Sequence, residues 1–151
     1  MSGNGQVAAL WIKRAKLGPM DPSAAVEMVA ERGIVGNANQ GGFRQVTVIQ
    51  EEVFQALRER FGEALDPGMR RANVMVRGLD LRRSQGRVLH LGPVRILIRG
   101  ETVPCERMDE ALPGLRSALG PEWRGGCFGR VIQGGPVRVG DQARLEDAVP
   151  E

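Results

Sequence analysis

The fold of this chain is decided by the stretch QGRVLHLGPVRILI, residues 85–98. Two short aliphatic runs, 88–91 and 94–98, are separated by the turn-forming pair Gly92-Pro93, and the first run follows Gln85-Gly86. Short apolar runs on either side of a glycine turn predict a β-hairpin. This part of the chain is therefore expected to form a sheet from short strands joined by tight turns.

The same pattern extends outward from the hairpin in both directions. The 151 residues include 21 glycines and 9 prolines, which favours turns over long helices. Helices are predicted over 51–61, over 108–119 with a break at Pro113-Gly114, and over 24–29 after Ser23 as N-cap. The other predicted strands cover 7–12, 44–49, 74–76, 79–81, 125–132, 137–139 and 143–145. The sequence thus predicts one domain, residues 1–151, that is mainly β: a barrel or sandwich with a few short inserted helices.

Composition and charge limit the classes of function. Hydrophobic residues make up 42% and charged residues 26%, which is typical of a soluble globular domain. Residues 1–6 show no signal-peptide pattern, and no apolar run approaches the roughly 20 residues of a membrane helix. Two cysteines do not make a disulfide framework, so a reducing cytoplasm is expected, although a single bridge is compatible with the sequence. The net charge of +3, carried mostly by arginine, favours an anionic partner.

Cys105 lies in the turn TVPCERM, residues 102–108, between an apolar strand and a predicted helix. A thiol acts as nucleophile or metal ligand only when it is accessible and ionised, and its usual pKa of about 8.5 falls when cations are close. Arg107 follows the cysteine and Arg99 precedes it. The opposite interpretation is a buried thiol that fills space, since free cysteine is among the most buried residue types.

Residue types exclude several enzyme classes. The chain has no Gly-x-x-x-x-Gly-Lys-Ser/Thr phosphate loop, no Gly-x-Gly-x-x-Gly between strand and helix, and no Cys-x-x-Cys pair. The single histidine, His90, rules out most histidine-rich metal sites and is interpreted as a structural strand residue. The second cysteine, Cys127, follows two glycines on a predicted core strand, where it either packs or relays sulfur to Cys105.

Arginine beside glycine or asparagine recurs at the predicted strand ends. A barrel that brought these segments to one mouth with Cys105 would form an anion pocket with a thiolate at its base, because arginine forks and free backbone N–H groups bind phosphate well. The glycine-rich loop 33–42 either approaches a ligand closely or simply connects strands. The arginine-containing segments are Arg44-Gln45, 70–73, Arg107 and 125–130.

Short motifs follow one another in order over nearly the whole chain, about residues 7–145. They are GIVG (33–36), RQVTVI (44–49), PG (67–68), RAN (71–73), GLDL (78–81), PCERM (104–108), GRVI (129–132), GG (134–135) and VGD (139–141). In order and spacing these motifs resemble the MOSC domain, which forms the C-terminal domain of molybdenum cofactor sulfurases and also occurs as small stand-alone bacterial proteins.

The resemblance implies a MOSC-type β-barrel in which the cysteine is the central reactive residue. In this family the cysteine is proposed to ligate molybdenum or to carry sulfur as a persulfide. Related proteins bind a pterin-type molybdenum cofactor and reduce N-hydroxylated compounds, and the family is also associated with pyridoxal phosphate. Carried over by motif, Cys105 is the expected catalytic thiolate and metal ligand, since soft thiolates bind such metals. The expected cofactor-binding residues are Arg44, Gln45, Arg71, Asn73, Arg107 and Arg130.

Two positions depart from the family pattern. Asn37 follows Gly36 where the family often has aspartate, and Ala72 replaces a common glutamate between Arg71 and Asn73. The loss of two acidic groups makes the pocket more basic, which favours an anionic ligand or indicates a loss of turnover.

Three functions remain open at this level. The first is a molybdenum-cofactor-binding oxidoreductase that works with a redox partner and holds the metal through Cys105. The second is a sulfur carrier in which Cys105 accepts a persulfide from a cysteine desulfurase. The third is a non-catalytic module, either a small-molecule sensor or a nucleic-acid binder. Two tryptophans and four phenylalanines provide few stacking platforms, which disfavours nucleic acid.

Overall fold

The hairpin predicted at residues 85–98 is present in the computed structural model, which describes residues 4–147. Three α-helices, three single-turn 3-10 helices and eleven strands make up the regular structure of these residues. The α-helices are α1 (Glu51–Phe61), α2 (Glu106–Ala111) and α3 (Leu115–Leu119). The strands are β1 (Asn4–Lys13), β2 (Met20–Ser23), β3 (Ala25–Val29), β4 (Gly33–Ile34), β5 (Val46–Gln50), β6 (Val74–Arg77), β7 (Val88–Leu91), β8 (Val94–Glu101), β9 (Cys127–Gln133), β10 (Gly135–Arg138) and β11 (Gln142–Leu145).

Seven of these strands close into a barrel in the order β11-β7-β8-β9-β5-β6-β1. Closure occurs where residues 4–6 of β1 pair with residues 142–144 of β11, and β2 pairs with residues 10–13 of β1. The neighbours are antiparallel except β5 and β6, which are parallel and therefore need the crossover that contains α1. A small second sheet has the order β10-β3-β4. The mainly β barrel with short inserted helices is thus confirmed.

Two packed clusters account for this architecture. The first fills the barrel with aliphatic side chains such as Val46, Val74 and Ile96, none of which is exposed. The second lies outside the barrel and packs Phe54 of α1 and Met108 of α2 against the strands. The strand β5 contributes to both clusters, with Val46 and Val48 inside the barrel and Ile49 in the outer cluster.

The helix predicted over residues 24–29 is wrong, because this segment is the strand β3. Val26 and Met28 are buried while the residues between and beside them are exposed, which is the two-residue period of a strand. Strand pairing with β10, distant in sequence, supplies the backbone partners and overrides the local helical preference.

The predicted edge strand at residues 79–81 is also absent. The segment is irregular, with Leu79 and Leu81 buried and their backbone groups bonded to the Gln50 side chain instead of to a strand. Gln50 donates to the Leu79 carbonyl at 2.9 Å and accepts from the Leu81 N–H at 3.3 Å. One amide side chain therefore replaces two ladder hydrogen bonds.

None of the helices within residues 4–147 combines the length and the apolar character that a membrane crossing requires.

Candidate functional site

A cavity of about 160 Å³ is formed by segments that precede or follow the barrel strands. Its wall includes the end of β1, the loop after β4, the turn before β6 and the connection from β8 to α2. The lining residues are Lys13, Asn37, Asn39, Arg44, Thr47, Arg70, Arg71, Ala72, Asn73, Thr102, Cys105, Arg107, Met108 and Gly125.

Two buried asparagines hold these segments together. The Asn37 side-chain oxygen accepts from the Lys13 backbone N–H at 2.8 Å and from the Asn73 amide nitrogen at 3.1 Å. Asn73 in turn accepts from both the backbone N–H and the hydroxyl of Thr47 at 3.2 Å. The network joins β1, the glycine-rich loop, β5 and the start of β6, and buried amides paired in this way fix a single arrangement.

Arg70 fastens the Cys105 turn to the barrel. Its buried guanidinium donates to the Gly125 carbonyl at 2.9 Å and to the Thr102 carbonyl at 3.1 Å. Burial lowers the pKa of Arg70, and a thiolate at Cys105 opposes this effect. The neighbouring residue Arg71 adopts a left-handed backbone conformation at φ 62° and donates to the Gly18 carbonyl at 2.6 Å. This change of backbone direction allows two consecutive arginines to line one cavity.

The cavity wall carries five basic side chains and no carboxylate. The ion pairs of residues 4–147 involve other basic residues, so these five charges are not neutralised by the protein. Burial lowers the pKa of Lys13, and the nearby Arg71 and Arg107 lower it further. Burial and Arg107 likewise lower the pKa of Arg71. Two effects therefore act in the same direction, the larger being desolvation by burial and the smaller being repulsion between neighbouring positive charges.

Arg44 is oriented by aromatic side chains. Its guanidinium carbon lies 4.5 Å from the centre of the Phe128 ring, which contacts the exposed Phe43 at 5.4 Å between ring centres. Arg99 lies over the other aromatic ring, at 4.6 Å from the centre of Phe43. Gly100 lies against the Phe128 ring, where a Cβ would make an ordinary contact at 3.4 Å. The stack positions Arg44 without a carboxylate partner.

Cys105 is exposed at this cavity, and a hydroxyl without a partner lies in the wall beside it. The Thr102 side chain is 4% exposed, and its oxygen has no hydrogen-bond partner within the described chain. A buried hydroxyl that lacks a partner is costly, unless water or a ligand completes it. The site therefore offers an accessible thiol, five cations and one free buried hydroxyl.

Comparison with protein families decides the assignment. The model of the MOSC domain matches residues 35–144, which is most of the chain. The chain belongs to the MOSC domain family. A search of curated proteins gave no match.

Solved structures share the MOSC fold along almost the whole chain. The YuaD protein from Bacillus subtilis has a TM-score of 0.81 at 20% identity, with 96% of this chain and 97% of that chain covered. YiiM from Geobacillus stearothermophilus has a TM-score of 0.76 at 20% identity, with coverages of 95% and 75%. YiiM from Escherichia coli has a TM-score of 0.70 at 16% identity, with coverages of 97% and 72%. At these identities the similarity establishes the fold.

Five of the seven residues expected from the MOSC motifs lie on the cavity wall. These are Arg44, Arg71, Asn73, Cys105 and Arg107. Within residues 4–147, no cluster of three histidine, cysteine or acidic residues is arranged to hold a metal ion. The cavity wall itself carries the Cys105 thiol and the Met108 thioether as sulfur donors, and of these Cys105 is exposed.

The other two expected residues are not brought to this wall. Gln45 is buried, and its amide donates to the Gly42 carbonyl at 3.2 Å and accepts from the Val131 N–H at 3.0 Å. Arg130 pairs with Glu31 at 3.2 Å. Gln45 thus links the glycine-rich loop to β9 in the interior. Arg130 has a carboxylate partner of its own.

The sequence did not name Lys13, Arg70 or Thr102 as site residues, and it gave Asn37 no linking role. Lys13 is the last residue of β1, and nothing in the neighbouring sequence signals its role. Thr102 and Arg70 lie within the segments 102–108 and 70–73, but only the hydrogen bond between them reveals that they belong to the same wall. Long-range contacts of this kind cannot be inferred from spacing along the chain.

Proposed function

We propose that this MOSC-domain protein binds a phosphorylated, pterin-type molybdenum cofactor, with the Cys105 thiolate as a ligand of the metal. The observation that carries the proposal is the exposed thiol of Cys105 on a wall of five cations without a carboxylate. A thiolate suits a soft metal, and arginine forks suit phosphate.

The residues of the cavity fit both the metal and the phosphate of such a cofactor. Cys105 supplies the soft donor, while Lys13, Arg44 and Arg107 have no carboxylate partners among the ion pairs of residues 4–147 and remain available for oxygen anions. The unpartnered Thr102 hydroxyl provides one further hydrogen bond inside the cavity. When bound, the molybdenum centre would supply two-electron redox chemistry, such as the reduction of an N-hydroxylated compound.

The chain's own contribution is binding and orientation. Arg70 holds the Thr102 and Gly125 carbonyls and so fixes the turn that carries the thiol. The Phe128 ring holds Arg44 over the same wall. Hydrogen bonds within the chain hold Arg70 and the buried asparagines, and groups fixed in this way cost less entropy to order on binding.

Metal and pterin analysis tests this proposal. The protein is expressed with molybdate in a host that makes the cofactor, beside the variants Cys105→Ala, Cys105→Ser and Cys127→Ala. We expect molybdenum and pterin in the wild type and in Cys127→Ala, and a loss of at least about tenfold in both Cys105 variants, because a hydroxyl does not replace a soft thiolate. A wild-type protein that purifies without either component would contradict the proposal.

A second candidate function, sulfur transfer, is favoured by the exposure of Cys105. In this reaction the Cys105 thiolate attacks the outer sulfur of a persulfide on a cysteine desulfurase. The S–S bond of the donor breaks, the donor thiolate leaves, and Cys105 carries the persulfide. The surrounding cations stabilise the negative charge that the persulfide bears.

Mass spectrometry separates the two candidates. After incubation with a cysteine desulfurase and cysteine, sulfur transfer predicts an increase of about 32 Da, the mass of one sulfur atom, on the peptide that contains Cys105. Cys127 serves as the internal control, because it is buried and should stay unmodified. An unmodified Cys105 after prolonged incubation would eliminate the second candidate.

A further inference from the structure

Two phenylalanine rings flanked by two arginines form a stack beside the Cys105 cavity. Phe43, which is 63% exposed, contacts the buried Phe128 at 5.4 Å between ring centres. The guanidinium carbon of Arg99 lies 4.6 Å from the centre of the Phe43 ring, and that of Arg44 lies 4.5 Å from the centre of Phe128. Arg44 also lines the cavity, so this phenylalanine-arginine stack extends the cavity wall onto the outer surface of the protein.

The turn that carries the thiol adds a second exposed apolar side chain. In the extended segment between β8 and α2, Thr102 and Pro104 are buried. Val103 and Cys105 alternate with them and are exposed. Because successive side chains of an extended chain point to opposite sides, Val103 and Cys105 face outward together. At 69%, Val103 has the largest exposed fraction among the large hydrophobic side chains of residues 4–147, and it lies next to the reactive thiol.

The two arginines of the stack have no carboxylate partner. Neither takes part in the ion pairs of residues 4–147, whereas Arg130 on the neighbouring strand β9 is paired with Glu31. The Nε of Arg99 is buried and has no hydrogen-bond partner within the described chain. The rings hold both guanidinium groups in place, so little side-chain entropy is lost when a carboxylate binds their N–H groups.

This surface has the composition of a protein interface. Aromatic residues and arginine are enriched at interfaces and supply most of the residues that dominate binding energy. Exposed apolar side chains beside unpaired cations are complementary to an acidic segment that carries an apolar side chain. A symmetric dimer through the same surface would bring the arginines of two copies together, and like charges repel each other.

The packing of Phe43 disfavours two other classes of partner. Arg99 covers one face of the ring, so the ring is poorly available for the base stacking on which single-stranded nucleic acid depends. Insertion of Phe43 into a lipid bilayer would separate it from Arg99 or carry the cation into the apolar layer, and both are unfavourable. An acidic protein segment requires neither change.

We propose that the phenylalanine-arginine stack and Val103 form a docking surface for an acidic segment of a partner protein, which places carboxylates on the two arginines and an apolar side chain against Phe43 and Val103. Docking at this surface brings the partner to the exposed thiol without filling the cavity. The task of the partner rests on the proposed function, because both candidate reactions at Cys105 use a second protein that supplies electrons or sulfur.

Labelled peptides test the docking surface by fluorescence anisotropy on the full chain at low ionic strength. The acidic probe is fluorescein-labelled Glu-Glu-Leu-Glu-Glu, and the neutral probe has glutamine in place of each glutamate. We expect the acidic probe to bind at least about tenfold more tightly, because its carboxylates form charge-assisted hydrogen bonds with the guanidinium groups, and salt should weaken it. Equal affinities for the two probes would overturn the proposal.

Matched variants locate the acidic probe. Phe43→Ala and Arg99→Gln should weaken its binding at least about fivefold each, the usual effect of removing an important interface residue. Val139→Ala and Arg138→Gln make comparable changes at exposed positions at the end of β10 and should leave binding within about twofold of the wild type. Lys13→Gln alters the cavity wall alone. A loss in Lys13→Gln as large as in Arg99→Gln would place the probe in the cavity and contradict the proposal.

Other occupants are tested with the same variants. The probes are vesicles of phosphatidylserine and phosphatidylcholine, a single-stranded oligonucleotide of deoxythymidine, and the protein itself by sedimentation. Vesicle binding, oligonucleotide binding or self-association that is lost in Arg99→Gln, without a preference for the acidic peptide, would overturn the proposal in favour of that occupant.

Failure of the docking surface is distinguishable from failure of the proposed function. Peptide binding does not require the metal, so Cys105→Ala should bind the acidic probe as the wild type does. A protein that purifies without molybdenum but prefers the acidic probe would retain the docking surface and contradict the cofactor. A molybdenum-containing protein with equal affinity for both peptides would contradict the docking surface alone.

Discussion

The regions around Cys105 and Cys127 give the same side chain opposite chemistry. Cys127 begins β9 and lies opposite Val48 on one side and Glu101 on the other, so two strands cover it and it is completely buried. Burial raises the pKa of its thiol to about 12, although a hydrogen bond with Ser84 acts in the opposite direction. Cys105 lies in the turn that leaves β8, where no strand covers it. Strand pairing, rather than the identity of the residue, decides which thiol can react.

The largest expected difference is in alkylation. With iodoacetamide at about pH 8, Cys105 should be modified and Cys127 should react at least about 1,000-fold more slowly. A pKa of about 12 leaves a thiolate fraction on the order of 10⁻⁴ at Cys127, and the strands exclude the reagent. Peptide mass spectrometry measures the two rates, and unfolding in guanidinium should make them similar. Comparable alkylation rates of the two cysteines in the folded protein would contradict the expected difference in reactivity.

Replacing the two cysteines should affect stability in the reverse order, with the larger effect at Cys127. Cys127→Ala removes a fully buried sulfur and should lower the free energy of unfolding by about 1–2 kcal/mol, because it leaves a cavity. Cys105→Ala changes an exposed side chain and should alter it by less than about 0.5 kcal/mol. Urea denaturation followed by circular dichroism gives both values. A larger loss in Cys105→Ala would mean that the turn is a stabilising element.

The charge of the Cys105 region can be changed without altering its hydrogen bonds. In Asn37→Asp, the new carboxylate can accept the same bonds from the Lys13 N–H and the Asn73 amide, so the fold should persist. The added negative charge on the cavity wall should weaken binding of inorganic phosphate about tenfold. Gln85→Glu adds the same charge at an exposed residue outside the wall and serves as the control. Unchanged affinity in Asn37→Asp, measured by calorimetry, would show that phosphate binds elsewhere.

The smallest expected effect is a pH dependence from Lys13. Burial lowers its pKa from the ordinary 10.5, and Arg71, Arg107, Lys16 and Arg44 lower it further. A bound anion favours the charged ammonium, so phosphate affinity should be full below this lowered pKa and should fall about threefold as the pH rises through it. The fall should therefore begin at a pH below 10.5. Phosphate titrations of the wild type and of Lys13→Gln measure it, and an equal fall in both would exclude Lys13 as its source.

The local sequence pattern was sufficient to predict elements whose structure depends on their own residues and not on distant partners. The helix α1 follows from its apolar stripe, and the hairpin of β7 and β8 follows from two aliphatic runs around Gly92-Pro93. The strand β3 was missed because a short segment of small and apolar residues around one glutamate, Glu27, suits either structure. Its pairing with β10, which lies near the other end of the chain, decided between them.

Local sequence patterns also predicted the candidate site only in part. The MOSC motifs led to Cys105, Arg44, Arg71 and Asn73, which lie together on one wall. They also led to Gln45, whose amide instead binds backbone groups in the interior. Adjacent residues at the start of a strand point to opposite faces, so a motif of consecutive letters does not say which side chain reaches the cavity.

The sequence by itself determined that this chain forms a mainly β MOSC domain with one cysteine in a turn and arginines at its strand ends. Those features depend on residue type and local spacing, which the sequence contains directly. The closed barrel decided that five cations share one wall without a carboxylate, that Cys105 is exposed there and that Cys127 is not. Charge density, burial and a thiol's reactivity depend on neighbours in space, and the barrel assembles those neighbours from segments far apart in the chain.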